Sequence, residues 1–350
     1  MAKENITKGK VSFIIVNWNG YKTIIECLDS IRSQTYKNNE IIFIDNHSSD
    51  NSLEIVKNNY HLDKLIILPK NYGYAQANNI GLKYAKGEYV ALVNNDAILD
   101  KHWLEKTVNV FEEDRSKKVA SVATKIINYH QRDLIDTAGV EYLGFGAGWD
   151  YKDLPINAYE VSHKKEVFGA CATASLYRKE VLDKFGFFDP HYFIYFEDTE
   201  LAFRLRLFGF KCIYEPEAIC YHYGGLKKDK NNNFFIYFGR RNIEFLFIKN
   251  MQGYLFYKYL LSHYLYESIL FLFFILTGKG ISVLKAKIQF LKNLGYLLEE
   301  RKKLKMKLTK LNKEENISTV EQYFLRPTWR CLQDKFRKAI QVYKSYLNLH

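Results

Sequence analysis

The chain has 350 residues, 47% hydrophobic and 26% charged, a composition that supports a sizeable core and excludes a disordered polymer. Its net charge of +12 sits beyond residue 225, where 24 lysines and arginines face nine acids, whereas residues 1–225 carry 27 against 30. Five cysteines without CxxC spacing (Cys27, Cys171, Cys212, Cys220, Cys331) argue against a zinc ribbon or a disulfide framework, and a polar Met1–Lys10 argues against a signal peptide, so a reducing cytoplasm is expected.

In chain order, Val11–Val16 reads as a strand, Asn17–Gly20 as a turn, and Tyr21–Ser33 as a helix with Ile24, Ile25, Leu28 and Ile31 on one face. The scheme repeats: strand Glu40–Asp45, polar turn Asn46–Asp50, helix from about Asn51 to Asn59; then strand Leu65–Leu68, the segment Asn71–Ala75 and a helix running to Ala85. A fourth strand opens at Glu88 as an apolar, β-branched run and ends abruptly in Asn94, Asn95 and Asp96. Strands alternating with helices at this spacing predict right-handed crossovers and a parallel, doubly wound sheet. Further on, Ala218–Tyr221 reads as a strand and Thr199–Phe208 as a helix opened by the acids Glu197 and Asp198.

Neither the GxGxxG of a dinucleotide fold nor the GxxxxGK of a P-loop is present. Each strand ends instead in side-chain polar groups: Asn17 and Asn19, Asp45 and Asn46, Asn71, Asp96. Taken singly, each reads as a helix cap or turn residue. Four along one sheet edge suit a ligand, because open α/β sheets bind at the carboxyl ends of their strands. A carboxylate such as Asp45 can accept from a base imide, and amides can bind ribose hydroxyls.

Val16–Asn19, Ile44–Asp50, Asn71–Asn78 and Leu92–Ala97 resemble the successive signatures of family 2 glycosyltransferases, close to the rhamnosyltransferase-like branch of surface-polysaccharide enzymes. The likeness continues through Phe168–Cys171, Phe185–Asp189, Tyr195–Leu201 with Arg204, Pro216–Ala218 with His222, and Arg240–Asn242, covering roughly residues 10 to 250. It implies a GT-A fold: a Rossmann-like, mixed but mostly parallel sheet flanked by helices, here with a helical C-terminal extension. A catalytic domain over residues 1–250 and a helical, basic region over 251–350 are the expected division.

The resemblance implies that Asp96 holds a divalent cation, Mn²⁺ or Mg²⁺, with His222 as a further ligand, to neutralise a departing diphosphate. Asn94 replaces the first carboxylate of the usual Asp-x-Asp, which lowers the expected affinity for metal. Read as an ordinary histidine at a strand end, His222 has no such role. Asp198 is implied as the base that deprotonates the acceptor, beside Glu197; inversion at the anomeric carbon follows. Asn17, Asn19, Asp45, Asn46, Asn71, Gly73, Asn78 and Asn95 are implied contacts of the nucleotide sugar, and Arg241 of its diphosphate. Arg204 and Arg206 read as structural partners of nearby acids.

From Gly253 to Leu276 the chain is dense in Tyr, Phe and Leu, and from Lys279 to Lys313 in Lys with interleaved apolar residues. This describes a helix pair in peripheral contact with an anionic membrane, or a basic helical subdomain that dimerises. The expected reaction is the inverting transfer of one sugar from a dTDP- or UDP-sugar, rhamnose type included, to a glycan or polyprenyl-linked acceptor at the inner face of the cell membrane. The alternative is an inactive sugar-nucleotide-binding protein that keeps the fold. A nucleic-acid partner is not expected, and a processive synthase is disfavoured by the missing QxxRW signature.

Overall fold

The computed structural model describes residues 6–146, 148–149, 154–157, 159–224 and 233–325. Within them the chain forms two compact units, residues 6–140 with 154–224, and residues 141–149 with 233–325.

The first unit begins with the predicted alternation. Strand β1 (Thr7–Asn17) is followed by α1 (Ile24–Arg32), β2 (Asn39–Asp45), α2 (Ser52–Asn59), β3 (Lys64–Ile67), α3 (Gly73–Leu82) and β4 (Gly87–Val93). The four strands pair in parallel in the order β3-β2-β1-β4, with Asn17 level with Asp45 at their carboxyl ends. The chain moves outward from β1 to β3 and returns to the other side of β1, so a topological switch point lies between β1 and β4. Val11, Phe13, Ile14 and Ile15 of β1 are fully or almost fully buried, each such side chain contributing about 1.5–3 kcal/mol in transfer terms.

Helix α1 buries Ile24, Cys27, Leu28 and Ile31 at helical spacing. It starts three residues later than predicted because Thr23 and Ile24 both donate backbone hydrogen bonds to Gly20, using residues 20–23 as a turn. Helix α3 approaches the sheet closely through Ala75, Ala77 and Gly81, all buried.

The sheet then widens. Strand β5 (Ala97–Leu99), α4 (Trp103–Glu113), β6 (Val119–Asn128) and β7 (Leu134–Thr137) lead to the crossing into the second unit, where β8 (Glu141–Leu143) and β9 (Gly148–Trp149) belong. Back in the first unit come β10 (Leu154–Pro155), α5 (Tyr159–Ser162), β11 (Lys165–Val167), β12 (Ala174–Arg178), α6 (Lys179–Phe185), α7 (Glu197–Leu207) and β13 (Lys211–His222). Strand β12 runs antiparallel to both β4 and β6, and β13 runs parallel to β6, so β4, β6 and β13 all point their carboxyl ends the same way. The result is a mixed sheet with a mostly parallel centre, flanked by helices.

The second unit contains helices α8 (Asn233–Asn250), α9 (Tyr254–Leu276), α10 (Gly280–Lys292), α11 (Leu294–Lys310) and α12 (Asn316–Glu321), then β14 (Phe324–Leu325), which joins β8 and β9 in a small sheet. Helices α9 and α10 pack on one another and α10 and α11 pack on α8. Four cysteines, Cys27, Cys171, Cys212 and Cys220, are buried free thiols; Cys331 lies outside the described residues.

Candidate active site

The polar residues that end β1, β2 and β3 are tied to one another. Asn17 is the hub: its Nδ2 lies 2.8 Å from Ser52 Oγ, 3.1 Å from Ser48 Oγ and 3.3 Å from Asp45 Oδ1, and its Oδ1 accepts from Asn95 Nδ2 at 2.9 Å. The last bond crosses the switch point. Both ends of the Asn17 amide are therefore used inside the protein, and its part is to fix Asp45 and Asn95. Gly20 makes this possible, since a Cβ there would lie 2.4 Å from Asn17 Oδ1 and 2.3 Å from Asn95 Nδ2.

Asn19, at φ 54°, accepts from Ser49 N at 2.8 Å while its own N–H donates to Ser48 Oγ, joining the first loop to the second. Asp45 is 1% exposed and accepts from Ser48 N at 3.1 Å. Asn46 donates to Asn71 Oδ1 at 2.9 Å and accepts from Tyr72 N, and Asn71 Oδ1 also accepts from Gly73 N at 2.8 Å. Asn78 lies deeper, fully buried on α3, with Nδ2 donating to Tyr74 O.

A second group gathers where β4, β12 and β13 end or begin. Asn94 N donates to Thr173 O at 2.9 Å, and one residue earlier Ala172 N donates to Asp198 Oδ2 at 3.1 Å. Residues 172–173 thus bridge the Asn94–Asp96 turn to Asp198. Asp198 Oδ1 accepts from Thr199 N at 2.7 Å, so both carboxylate oxygens are held by backbone donors. Tyr74, whose hydroxyl donates to Ala172 O at 3.0 Å, connects this group to α3. Its phenol is pushed well up by burial and then by the charges of Glu197, Cys171 and Asp198, so it stays a neutral donor.

Helix α7 starts at Glu197, two residues before the predicted start, because Phe196 adopts a left-handed conformation (φ 68°) immediately before it. Phe193 and Tyr195 also have positive φ, 63° and 70°. Three bulky non-glycine residues in that region cost about 1–3 kcal/mol each, a strain that surrounding packing must hold. The hold is visible at Gly73 (φ 81°), where a Cβ would lie 2.5 Å from the Phe193 ring and 2.6 Å from its carbonyl oxygen, and at Ala75 N, which donates to that same oxygen at 3.1 Å. Arg204 and Arg206 are structural, as read from the sequence: Arg204 pairs with Glu200 and caps the carbonyls of Phe185, Gly186 and Phe187, while Arg206 pairs with Glu166.

His222 closes β13 and sits between two carboxylates, with Nδ1 2.6 Å from Asp136 Oδ2 and Nε2 3.3 Å from Asp96 Oδ1. Burial favours the neutral ring, but the charge of Asp96 and the hydrogen bond to Asp136 outweigh it and raise the pKa to about 9. Sequence reasoning misses Asp136. An acid within the strand Leu134–Thr137 is a signal, but only the pairing of β7 with β6, and of β6 with β13, brings it to His222.

Among the described residues no group of three or more His, Cys, Asp or Glu side chains is arranged to hold a metal ion. The reason is geometric: Asp96 and Asp136 lie at opposite nitrogens of one ring and do not converge on a point. The donors available for a cation are the Asp96 carboxylate, His222 Nε2 once it has lost its proton, and Asn94 Oδ1, a buried atom that accepts no hydrogen bond among the described residues. Arg241 belongs to the second unit, where its Nε donates to Asn242 Oδ1 at 2.9 Å and its guanidinium lies over the Phe238 and Phe245 rings.

Comparison with known proteins accords with this arrangement. The sequence model described as glycosyl transferase family 2 matches residues 12–186. The poly-beta-1,6-N-acetyl-D-glucosamine synthase of Staphylococcus epidermidis is 28% identical over 218 residues, 60% of this chain and 49% of that protein. The glycosyltransferase GlyG of Streptococcus pneumoniae is 32% identical over 126 residues, 35% of this chain and 41% of that protein. The chain thus spans about half the length of the curated relatives it matches. The fold is similar to that of a solved mannosyltransferase from Pyrobaculum calidifontis in complex with GDP-Man and Mn²⁺ (TM-score 0.51, 16% identity, 88% of this chain and 86% of that one). With a family match over half its length and a GT-A architecture around these strand ends, the chain belongs to glycosyl transferase family 2.

Proposed function

We propose that the protein is an inverting glycosyltransferase that moves one sugar from a dTDP- or UDP-sugar, rhamnose type included, to a glycan or polyprenyl-linked acceptor in surface-polysaccharide biosynthesis. The observation that carries this reading is the bridge of residues 172–173, which joins the Asp96 turn to Asp198 at the switch point of the sheet.

In this reading Asp198 takes the proton of the acceptor hydroxyl. Its two backbone donors fix the carboxylate, which is the positioning that general base catalysis needs. Asp45 and the amides of Asn19, Asn46, Asn71 and Asn95 receive base and ribose, with Asn17, Gly73 and Asn78 shaping the site. A diphosphate is repelled by Asp96 and Asp136 unless a cation intervenes. Mn²⁺ or Mg²⁺ held by Asp96, His222 and Asn94 would neutralise the leaving diphosphate. Asp136 would orient the imidazole and fix its tautomer. The polyprenyl acceptor places the enzyme peripherally at the cytoplasmic face of the membrane, with a homodimer as a further assembly.

Turnover of a panel of UDP-, dTDP- and GDP-sugars, with and without Mn²⁺ and after exhaustive chelation, tests the proposal. Donor-dependent transfer lost on chelation is expected. Asn94 in place of an acid favours a second reading, a sugar-nucleotide-binding protein without turnover; donor binding in calorimetry with no product in any arm would establish it.

A further inference from the structure

Helix α9 has its polarity reversed. It is long and apolar enough to cross a membrane by length and composition, yet only 11% of its most apolar stretch is buried. Its exposed residues include Tyr257, Leu261, Leu265, Ile269, Leu272 and Leu276, with Leu261 at 82% and Leu276 at 70% exposure, together with Tyr254, Lys258, Ser262, Tyr264, Ser268 and Ile275. At about 100° per residue they fall within roughly 160° of the circumference. On the opposite side, His263 and Glu267 are buried in the unit's interior.

There they join an ionic network. His263 Nε2 lies 3.0 Å from Glu244 Oε2 on α8, Lys287 of α10 pairs with both Glu244 and Glu267, and Arg240 of α8 is 3.0 Å from Glu267 Oε1. A helix in water puts its charges outward and its leucines inward. This one does the reverse, the arrangement of a helix whose outer surroundings are hydrocarbon.

The outer face continues on α10, where Ile281, Leu284, Ile288 and Leu291 share one exposed stripe. Between Tyr254 and Asn293 the sequence has five lysines (Lys258, Lys279, Lys285, Lys287, Lys292) and a single acid, Glu267, which is buried. Lys285 and Lys292 are exposed and border the α10 stripe. Lys258, at the start of α9, is paired with Glu321, whereas along α10 the apolar stripe is edged by cations with no exposed carboxylate, an arrangement that complements an anionic lipid surface.

We infer that α9 and α10 form a monotopic docking face that sinks its leucine and isoleucine stripe into the headgroup–acyl boundary of a bilayer rich in anionic lipid. The inference deepens the peripheral placement proposed above and does not need the chemistry proposed for Asp198. It also gives the buried charges of α9 a role, since they anchor the helix to α8 and α10 so that its apolar side must face outward.

The test uses the full chain with vesicles of phosphatidylcholine alone and of equal parts phosphatidylcholine and phosphatidylglycerol. Co-sedimentation with the anionic vesicles is expected, reduced by roughly tenfold or more in Lys285→Gln/Lys292→Gln and by about a hundredfold or more in Leu265→Glu/Leu272→Glu/Leu284→Glu. Circular dichroism and transfer to a soluble acceptor should be unchanged in both variants. Alkaline carbonate should release the bound protein. Absence of binding to anionic vesicles, no preference for them over neutral ones, or retention through carbonate, which would make α9 a spanning helix, overturns the inference. A vesicle-free dimer abolished by the leucine variant would assign the face to a second copy and overturn it equally. Vesicle binding without transfer, and transfer without vesicle binding, separate a failure of the proposed chemistry from a failure of this face.

Discussion

The two units solve opposite problems with buried polar groups. In the first, neutral amides and hydroxyls cross-link strand ends and hold a buried carboxylate among them: Asn17 reaches Asp45, Ser48, Ser52 and Asn95 at once. In the second, full charges are buried beneath an apolar exterior, with Glu244 1% exposed and Glu267 4%. Neutral cross-links fix a sheet edge at modest cost. Buried ion pairs are costly to desolvate and are a weak source of stability, so their value lies in fixing orientation.

The strongest blow to the first unit is Asp198→Asn, which removes the basic oxygen and keeps an acceptor for only one of Ala172 N and Thr199 N, since the amide NH2 cannot accept from the other. It should lower kcat by about 10²–10⁴-fold with donor affinity retained, measured by product formation and calorimetry. Full activity would end Asp198's candidacy as the base. In the second unit, Glu244→Ala leaves Lys287 and His263 without an acceptor they share, and should destabilise by about 3–5 kcal/mol in chemical denaturation.

That same network predicts a pH response. Burial pushes the Glu244 carboxyl up, but the hydrogen bond from His263 and the charge of Lys287 outweigh it and hold the pKa below the usual value. A depressed folded pKa gives stability that is complete above the unfolded value, about 4.3, and is lost as pH falls through the folded one. Unit-two helicity should therefore weaken on acidification below about pH 4, and Glu244→Gln should flatten the profile. Smaller in size, Asp136→Asn should reduce Mn²⁺ affinity by about 10–100-fold in a metal titration, through loss of the carboxylate that orients His222. Smallest is Asn19→Ala, which removes the side-chain acceptor of Ser49 N and should cost about 0.5–1.5 kcal/mol.

The strand–helix alternation, the parallel core and the polar strand ends are legible in the sequence because burial on both faces writes continuous apolar runs, and because turns demand particular side chains. Asp198 and Asp96 stand out through the motifs around them. Other features depend on pairing that no local pattern carries. Asp136 meets His222 only across two strand pairings, and Asn17 looks like a ligand contact because its internal partners are 28 to 78 residues away. The true start of α7 is hidden since aromatic residues rarely enter the left-handed region, and nothing in Phe193–Phe196 announces it. Glu244, His263, Glu267 and Lys287 have the spacing of ordinary surface charges, so their burial emerges only from the packing of three helices.

Gly73 ties two regions that sequence divergence would otherwise treat separately. Its missing side chain is the socket for Phe193, and Phe193 begins the strained run that delivers Asp198. Under the proposed roles, donor recognition and proton abstraction would share one mechanical part. Grafting residues 193–198 from a relative to alter acceptor choice should succeed only when residues 71–75 travel with them, making that pair of segments the natural unit of exchange for redesign.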